Sequence, residues 1–219
     1  MGLPGQRMMT GSIRHAGPIV TSLEALEALY GPVNPNSLAK ETVRLTPEYR
    51  RWIGQAPFLA IATSGPGGLD CSPRGDAAGH LVRVVDETTL LVPDRRGNNR
   101  IDTLRNIIAD PRIALLFLIP GINETLRVNG RAEITTEPVL LESFAVDGRA
   151  PASVMRIFID AVYFQCARAL VRSRLWQADA QVPRIAVPSA GEMTRAAKPG
   201  FDAESYDAEL DDRHRRTLY

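Results

Sequence analysis

The chain is poor in the residues that build metal centres and disulfide frameworks. Among 219 residues there are two cysteines, Cys71 and Cys166, and three histidines, His15, His80 and His214. The cysteines lack metal-ligand spacing, and read as reduced thiols they suit a cytoplasmic protein. The histidines are scattered and pair with no nucleophile, so no catalytic acid or base stands out. His80 reads as a turn residue, and His214 sits among Arg213, Arg215 and Arg216 on a charged face. Long apolar runs are also missing. The longest, Ile113 to Ile119, has seven residues and is far too short to span a bilayer. No charged-then-apolar signal pattern opens the sequence. Neither sign of charge dominates: 26 basic residues face 25 acidic ones, for a net charge of +1. That balance argues against a nucleic-acid surface built on bulk charge. What is present is apolar content of 44%, enough for a full core. The length fits one large domain, or one core with appendages.

Four stretches differ in character. Residues 1–20 are rich in Gly, Pro and Met without periodicity and read as a mobile or draped arm. Residues 21–56 read as helical. Ser22 caps an apolar pattern at Leu23, Leu26 and Leu29, which Gly31-Pro32 ends, and a short helix follows Pro35. Thr46-Pro47-Glu48 is a cap with proline at the first helical position, and that helix should reach about Ile53. Residues 57–182 carry strand patterns, and 183–219 form a polar tail. In the tail, helices are expected near Ala190–Ala197 and Ala203–Arg215.

In the strand region, Phe58–Thr63 and Leu69–Asp76 flank the turn Gly65-Pro-Gly-Gly68. Leu81–Val85 and Thr88–Val92 form a second pair. Arg112–Ile119 reads as a strand apolar on both faces. Residues 124–136 alternate, with Leu126, Val128, Gly130, Ala132 and Ile134 on one face; period two over this length predicts a half-buried antiparallel strand. Val154–Gln165 is a further long strand, and helices are expected at Pro138–Phe144 and Ala167–Leu175. The sum is a mainly β, α+β fold: a small split barrel of about six antiparallel strands with one helix inserted. Such a barrel has little room inside, so a ligand would lie on its outer wall, where two copies meet.

The most informative stretch runs from Leu90 to Arg105. A strand stops at Pro93. A turn then carries Asp94, Arg95, Arg96, Gly97, Asn98, Asn99 and Arg100, and a helical pattern begins from about Asn99. A helix start has amides without intrahelical partners and a dipole that favours negative charge. Arginines beside it fork onto phosphate oxygens. The turn therefore suits a phosphate monoester, although the same residues also suit a solvated basic loop. Cys71-Ser72-Pro73-Arg74-Gly75-Asp76 is the second element. Proline and glycine in a strand mark an edge, a close approach of backbone to something else, or an ordinary hairpin end.

Together these elements resemble the pyridoxamine 5'-phosphate oxidase-like FMN-binding split-barrel family over about Phe58–Trp176. The matching motifs are Ser72–Asp76, Pro93–Arg95, Gly97–Arg100, Leu104–Asn106 and Arg172–Trp176. The resemblance implies a homodimer with two FMN molecules in grooves at the interface. It implies Ser72, Pro73, Arg74, Gly75 and Asp76 along the flavin ring. Pro93, Asp94, Arg95, Asn98, Asn99 and Arg100 would lie at the phosphate, with Thr125 and Arg127 lining the groove. Ser173 and Trp176 would come from the other subunit. Arg127 alternatively serves as a surface partner of Glu133 or Glu124, and Trp176 as a core or interface tryptophan. A cation such as Arg74 near the ring would favour the anionic reduced flavin and raise its potential. True pyridoxamine phosphate oxidases carry a Tyr/Arg/Ser helix and an Arg-x-His element. Neither is found here, so the implied activity is an FMN-dependent oxidoreductase with an unidentified substrate, using NAD(P)H or another donor. A deazaflavin-dependent reductase and a non-catalytic flavin carrier are the alternatives; a haem-binding barrel lacks a suitable axial histidine.

Overall fold

A computed structural model describes residues 19–219; the expected arm over 1–20 falls almost entirely outside these described residues. The described residues divide into two compact units, with the boundary between Ala39 and Lys40. In the first, α1 (Leu23–Tyr30) starts where Ser22 Oγ accepts from the Ala25 amide at 3.2 Å, and it stops at Gly31, whose φ is +67°. A short α2 (Pro35–Ala39) follows. Neither helix contains a buried residue.

The larger unit is built on one antiparallel sheet of seven strands. Its helix α3 (Pro47–Gln55) is capped by Thr46 and buries Ile53 in the barrel core. The strands are β1 (Phe58–Gly65), β2 (Gly68–Gly75), β3 (Arg83–Val84), β4 (Thr89–Asp94), β5 (Arg112–Leu118), β6 (Thr125–Thr135) and β7 (Ser153–Gln165). Their order is β2-β1-β5-β6-β7-β4-β3. The seventh strand is the two-residue β3, to which Val85 adds one bond from its N–H to the Thr89 carbonyl at 3.0 Å; the rest of the expected Leu81–Val85 segment forms no strand. β4 continues through Pro93, which pairs with Val154, to Asp94, so the proline does not stop it.

The alternation in β6 sorts as its sequence implies. Leu126, Val128, Gly130 and Ala132 are buried, and Arg127, Asn129, Arg131 and Glu133 are exposed. β5 is not apolar on two buried faces: Ile113, Leu115 and Phe117 are buried, while Ala114, Leu116 and Leu118 are only half-buried. The buried face joins Leu59, Ile61, Leu90, Val92 and Ile157 in one core. Each such side chain contributes about 1.5–3 kcal/mol of burial.

Helix α4 (Asp102–Ala109) packs on β1, β2 and β6. Its inward face is partly polar. Asn106 Nδ2 donates to Thr63 Oγ1 at 3.2 Å and to the Gly68 carbonyl at 3.4 Å. Thr103 Oγ1 donates to Asp70 at 2.5 Å. The helix starts three residues later than Asn99. The Asn98 side chain accepts the Arg100 amide at 3.0 Å, and Asn99 takes a left-handed φ of 59°. Those two residues extend the turn.

The remaining helices are α5 (Pro138–Glu142), α6 (Arg168–Ser173), α7 (Ala190–Ala197), α8 (Ala203–Ala208) and α9 (Leu210–Thr217). The expected single helix over Ala203–Arg215 is broken at Glu209. No described helix is long and apolar enough to cross a membrane.

A register shift at Asn129/Gly130 bends β6 against β7. A Cβ on Gly130 would overlap the Phe158 carbonyl oxygen, which is backbone and has little freedom to move. Gly130→Ala is therefore expected to cost roughly 1–3 kcal/mol, as overpacking does. Urea unfolding monitored by far-ultraviolet circular dichroism measures it; an unchanged midpoint contradicts the close approach.

Candidate functional site

β2 and β4 lie near opposite ends of the sheet order, yet their C-terminal ends meet through side chains. Asp76, just past β2, accepts from Arg95, just past β4. Arg95 Nε lies 3.0 Å and Nη2 2.9 Å from Asp76 Oδ2. The Asp76 side chain is 2% exposed and that of Arg95 14%. Arg95 Nη1 donates to the Phe144 carbonyl at 2.6 Å. A second bridge, looser and half-buried, joins Arg74 Nη2 to Asp94 Oδ1 at 3.5 Å. The sheet is thus curled until its two ends are fastened by ion pairs rather than by a backbone ladder.

The cause is legible along β2. Its alternate residues Asp70, Ser72 and Arg74, with Asp76 beyond, are half-buried, while Leu69, Cys71, Pro73 and Gly75 are exposed. A strand with a polar inner face cannot complete an apolar core, so it is partnered by charges and hydroxyls instead. Ser72 Oγ donates to Asp70 at 2.9 Å, and Arg74 and Asp76 reach β4.

Beside these bridges lies a pocket of about 480 Å³. Its walls come from Pro73 and Arg74, from the turn Asp94–Arg100, from Ile101 and Leu104 of the α4 start, from Arg149–Ala152, and from Tyr219. Five arginines line it (Arg74, Arg95, Arg96, Arg100 and Arg149) against one acidic side chain, Asp94. Helix α4 opens onto it without a side-chain cap, because its N-cap position is Ile101. Arg100 Nε is held by Asp102 at 2.5 Å. Arg74 Nη1 donates to the Pro73 carbonyl at 2.9 Å, while its buried Nε has no partner. Burial pushes the Asp94 carboxyl up from the ordinary carboxylate range, against the opposing pull of Arg74.

Of the sequence-predicted residues, Pro73, Arg74, Asp94, Arg95, Asn98, Asn99 and Arg100 are brought together. Arg95 lines the pocket, but its guanidinium is engaged by Asp76 and Phe144. Ser72, Gly75, Asp76 and Pro93 lie in adjoining strands or just past them and do not line the pocket. Thr125, Arg127, Ser173 and Trp176 are elsewhere in this chain. Thr125 is buried at the start of β6. Arg127 stands 5.9 Å from the centre of the Tyr163 ring, rather than pairing with Glu133 or Glu124. Ser173 Oγ donates to the Leu170 carbonyl at 3.1 Å, and Trp176 Nε1 to the Ile122 carbonyl at 2.8 Å. The sequence reading named Arg96 in the turn without assigning it to the site, and it missed Arg149, Ala150, Pro151, Ala152 and Tyr219. Residues 149–152 and Tyr219 lie far along the chain from the turn, and no local pattern marks them.

A family model described as pyridoxamine 5'-phosphate oxidase matches residues 45–166, more than half of the chain. The chain belongs to the pyridoxamine 5'-phosphate oxidase family. The family match runs from just before α3 to the end of β7 and stops short of Ser173, Trp176 and the tail. Three solved structures illustrate what this family member is similar to. HupZ of Group A Streptococcus is 21% identical, with 54% of this chain and 91% of that one covered and a TM-score of 0.45. General Stress Protein 26 of Bacillus anthracis is 15% identical over 52% and 88%, with a TM-score of 0.40. The FAD binding protein of Mycobacterium smegmatis is 12% identical over 57% and 97%, with a TM-score of 0.40. No curated protein matches the chain.

Removing Asp76 would leave Arg95 buried and uncompensated. Asp76→Ala is expected to lower stability by ~3 kcal/mol, and Asp76→Leu combined with Arg95→Met to recover much of that loss. Chemical denaturation of the three proteins tests this, and equal stability of Asp76→Ala and the native chain would refute it. Asp94 gives a pH prediction. Its folded carboxyl holds a proton to higher pH than the unfolded chain does, so its ionisation subtracts stability as pH rises past the ordinary carboxylate range. The stability of Asp94→Asn relative to the native chain should therefore improve from about pH 3 to about pH 6. A gap independent of pH would contradict it.

Proposed function

We propose that the chain binds flavin mononucleotide in this pocket and acts as an FMN-dependent oxidoreductase on a small-molecule substrate. One observation carries the reading: five arginines and the uncapped start of α4 converge on a single pocket of about 480 Å³, with Arg74 Nε buried and unpartnered at its edge. That volume is in the usual range for small-molecule sites. A phosphate monoester carries close to two negative charges at neutral pH, which suits a wall of arginines of which Arg74, Arg95 and Arg100 already share their charge with Asp94, Asp76 and Asp102.

In this reading Arg96, Arg100 and the first amides of α4 hold the phosphate. Arg74 and Pro73, on the β2 edge, lie against the ring. Arg95 keeps the turn in place through Asp76, so its contribution to the anion is positional and electrostatic. Bound flavin supplies electron-transfer chemistry that no side chain here provides. The protein's part is to orient the ring and exclude water, with Arg74 tuning the charge that develops nearby. The substrate and the electron donor, NAD(P)H or another, follow from activity rather than from the pocket.

A homodimer belongs to the same proposal. Phe58, Phe158 and Phe164 of the sheet are each about two-fifths exposed, at 40%, 42% and 41%. A second copy covering such aromatics would bury them. It would also bring Ser173 and Trp176 within reach of the partner's cofactor, the arrangement that the resemblance at Arg172–Trp176 implies, while Thr125 and Arg127 stay proposed as lining of the groove. Work in the cytoplasm is proposed with it.

Freshly purified protein should be yellow and release FMN on denaturation; a deazaflavin spectrum would redirect the assignment. Arg96→Ala with Arg100→Ala should weaken flavin binding by about a hundredfold or more, since each charge-assisted hydrogen bond contributes ~1.5–3 kcal/mol. Both residues are exposed, so the fold should persist. Full flavin occupancy in that variant would refute the phosphate assignment. Reduction by NADH or NADPH with turnover on an acceptor distinguishes an enzyme from a carrier.

A further inference from the structure

The pocket is walled on one side by a residue from the far end of the chain. Tyr219 lies beyond the family match, at the end of a tail that folds largely on itself. Ser189 caps α7 in a reciprocal pair with Glu192. Asp207 of α8 accepts from the Gly191 amide at 2.8 Å, and Arg195 pairs with Glu204 at 2.6 Å. Helix α9 buries none of its residues. Among the described residues, two hydrogen bonds join 183–219 to the barrel, and both belong to Tyr219. Its hydroxyl donates to Asp76 Oδ1 at 2.9 Å, and its main-chain oxygen accepts from Arg149 Nη1 at 2.9 Å. Its ring lies 5.5 Å from the Arg95 guanidinium.

These contacts tie the tail to the groups that shape the pocket. Asp76 is satisfied by Arg95 on Oδ2, and by the Ala77 amide and the Tyr219 hydroxyl on Oδ1. Arg149 lines the pocket and holds Tyr219 at once. A second pocket, lined by Asp147, Arg149, Arg215, Arg216, Leu218 and Tyr219, shares Arg149 and Tyr219 with the first. Tyr219 therefore walls both pockets only while the tail is docked, and Arg149 is the barrel residue that holds it there.

We propose that Tyr219 is a ligand-coupled latch: it fastens the C-terminal segment to the barrel, and an anion in the pocket and the docked tail stabilise each other. The coupling rests on the reading that the pocket takes a phosphate monoester. The docked ring closes one wall beside Arg95, whose side chain is largely buried, and holds the exposed Arg149 at the pocket; keeping water from Arg95 strengthens its attraction for an anion. By linkage, the anion must hold the tail down by the same factor. Tyr219 is a positioning residue: it acts through Asp76, Arg95 and Arg149.

Limited trypsin digestion of the full chain, followed by mass spectrometry, reads the latch directly. Arg213, Arg215 and Arg216 of α9 are cleavage sites whose exposure follows local opening. Without ligand, cleavage there should be about tenfold faster in Tyr219→Ala than in the native chain, the effect of losing a hydrogen bond to a charged group. Tyr219→Phe, which keeps the ring, should fall between them. Equal rates in all three overturn the latch. Added FMN should slow cleavage of the native tail several-fold and leave Tyr219→Ala unaffected. Flavin bound, as seen by absorbance, with no change in native cleavage overturns the coupling. If no flavin binds, the flavin reading fails by itself, and inorganic phosphate becomes the probe: slower native cleavage supports the coupling, and unchanged cleavage overturns it.

Discussion

The Asp76–Arg95 ion pair is the constraint on which the site depends. It joins strand ends that the sheet order keeps apart, and it does so with the carboxylate almost wholly out of water. Isolated charges in such a place would be strongly unfavourable. Here the guanidinium spends all three nitrogens on Asp76 and the Phe144 carbonyl, and the carboxylate gathers donors on both oxygens. A satisfied buried pair adds little net stability compared with apolar packing, but it fixes geometry. What it fixes is the mouth of the barrel. The turn Asp94–Arg100 leaves β4 at that point, so the arginines behind it and the α4 start are held facing one another.

Helix α4 supplies the opposing constraint. A helix that met the barrel through leucines alone could slide along it. Asn106 and Thr103 instead reach specific partners, Thr63, Gly68 and Asp70. A Cβ on Gly65 would overlap the Asn106 side chain, so the hairpin approaches the helix as closely as glycine allows. The direction of the helix start is set by these contacts rather than by its own propensity.

Much of this was legible in the sequence where the cause is local. The caps at Ser22 and Thr46, the period-two pattern of β6, and the basic turn after β4 all rest on neighbours within a few residues. The parts that were not legible are long-range. Asp76 and Arg95 are 19 positions apart, and Tyr219 reaches Asp76 across 143. Nothing near Arg95 in the sequence distinguishes an arginine aimed at a ligand from one consumed by a buried carboxylate. The α4 boundary moved for a different reason: Asn98 and Asn99 satisfy the backbone in a turn, in competition with the helix. Pro93 shows the reverse case, a residue expected to end a strand that sits inside one, opposite Val154 of β7.

Pro73 carries a further consequence. β2 is the outermost strand on its side, and outermost strands are templates onto which a foreign chain can add by backbone bonding. At Pro73 the backbone has no N–H to offer, and its carbonyl is already taken by the neighbouring Arg74 guanidinium. The residue that gives the groove its rim therefore also blunts the sheet margin against runaway polymerisation into fibrils.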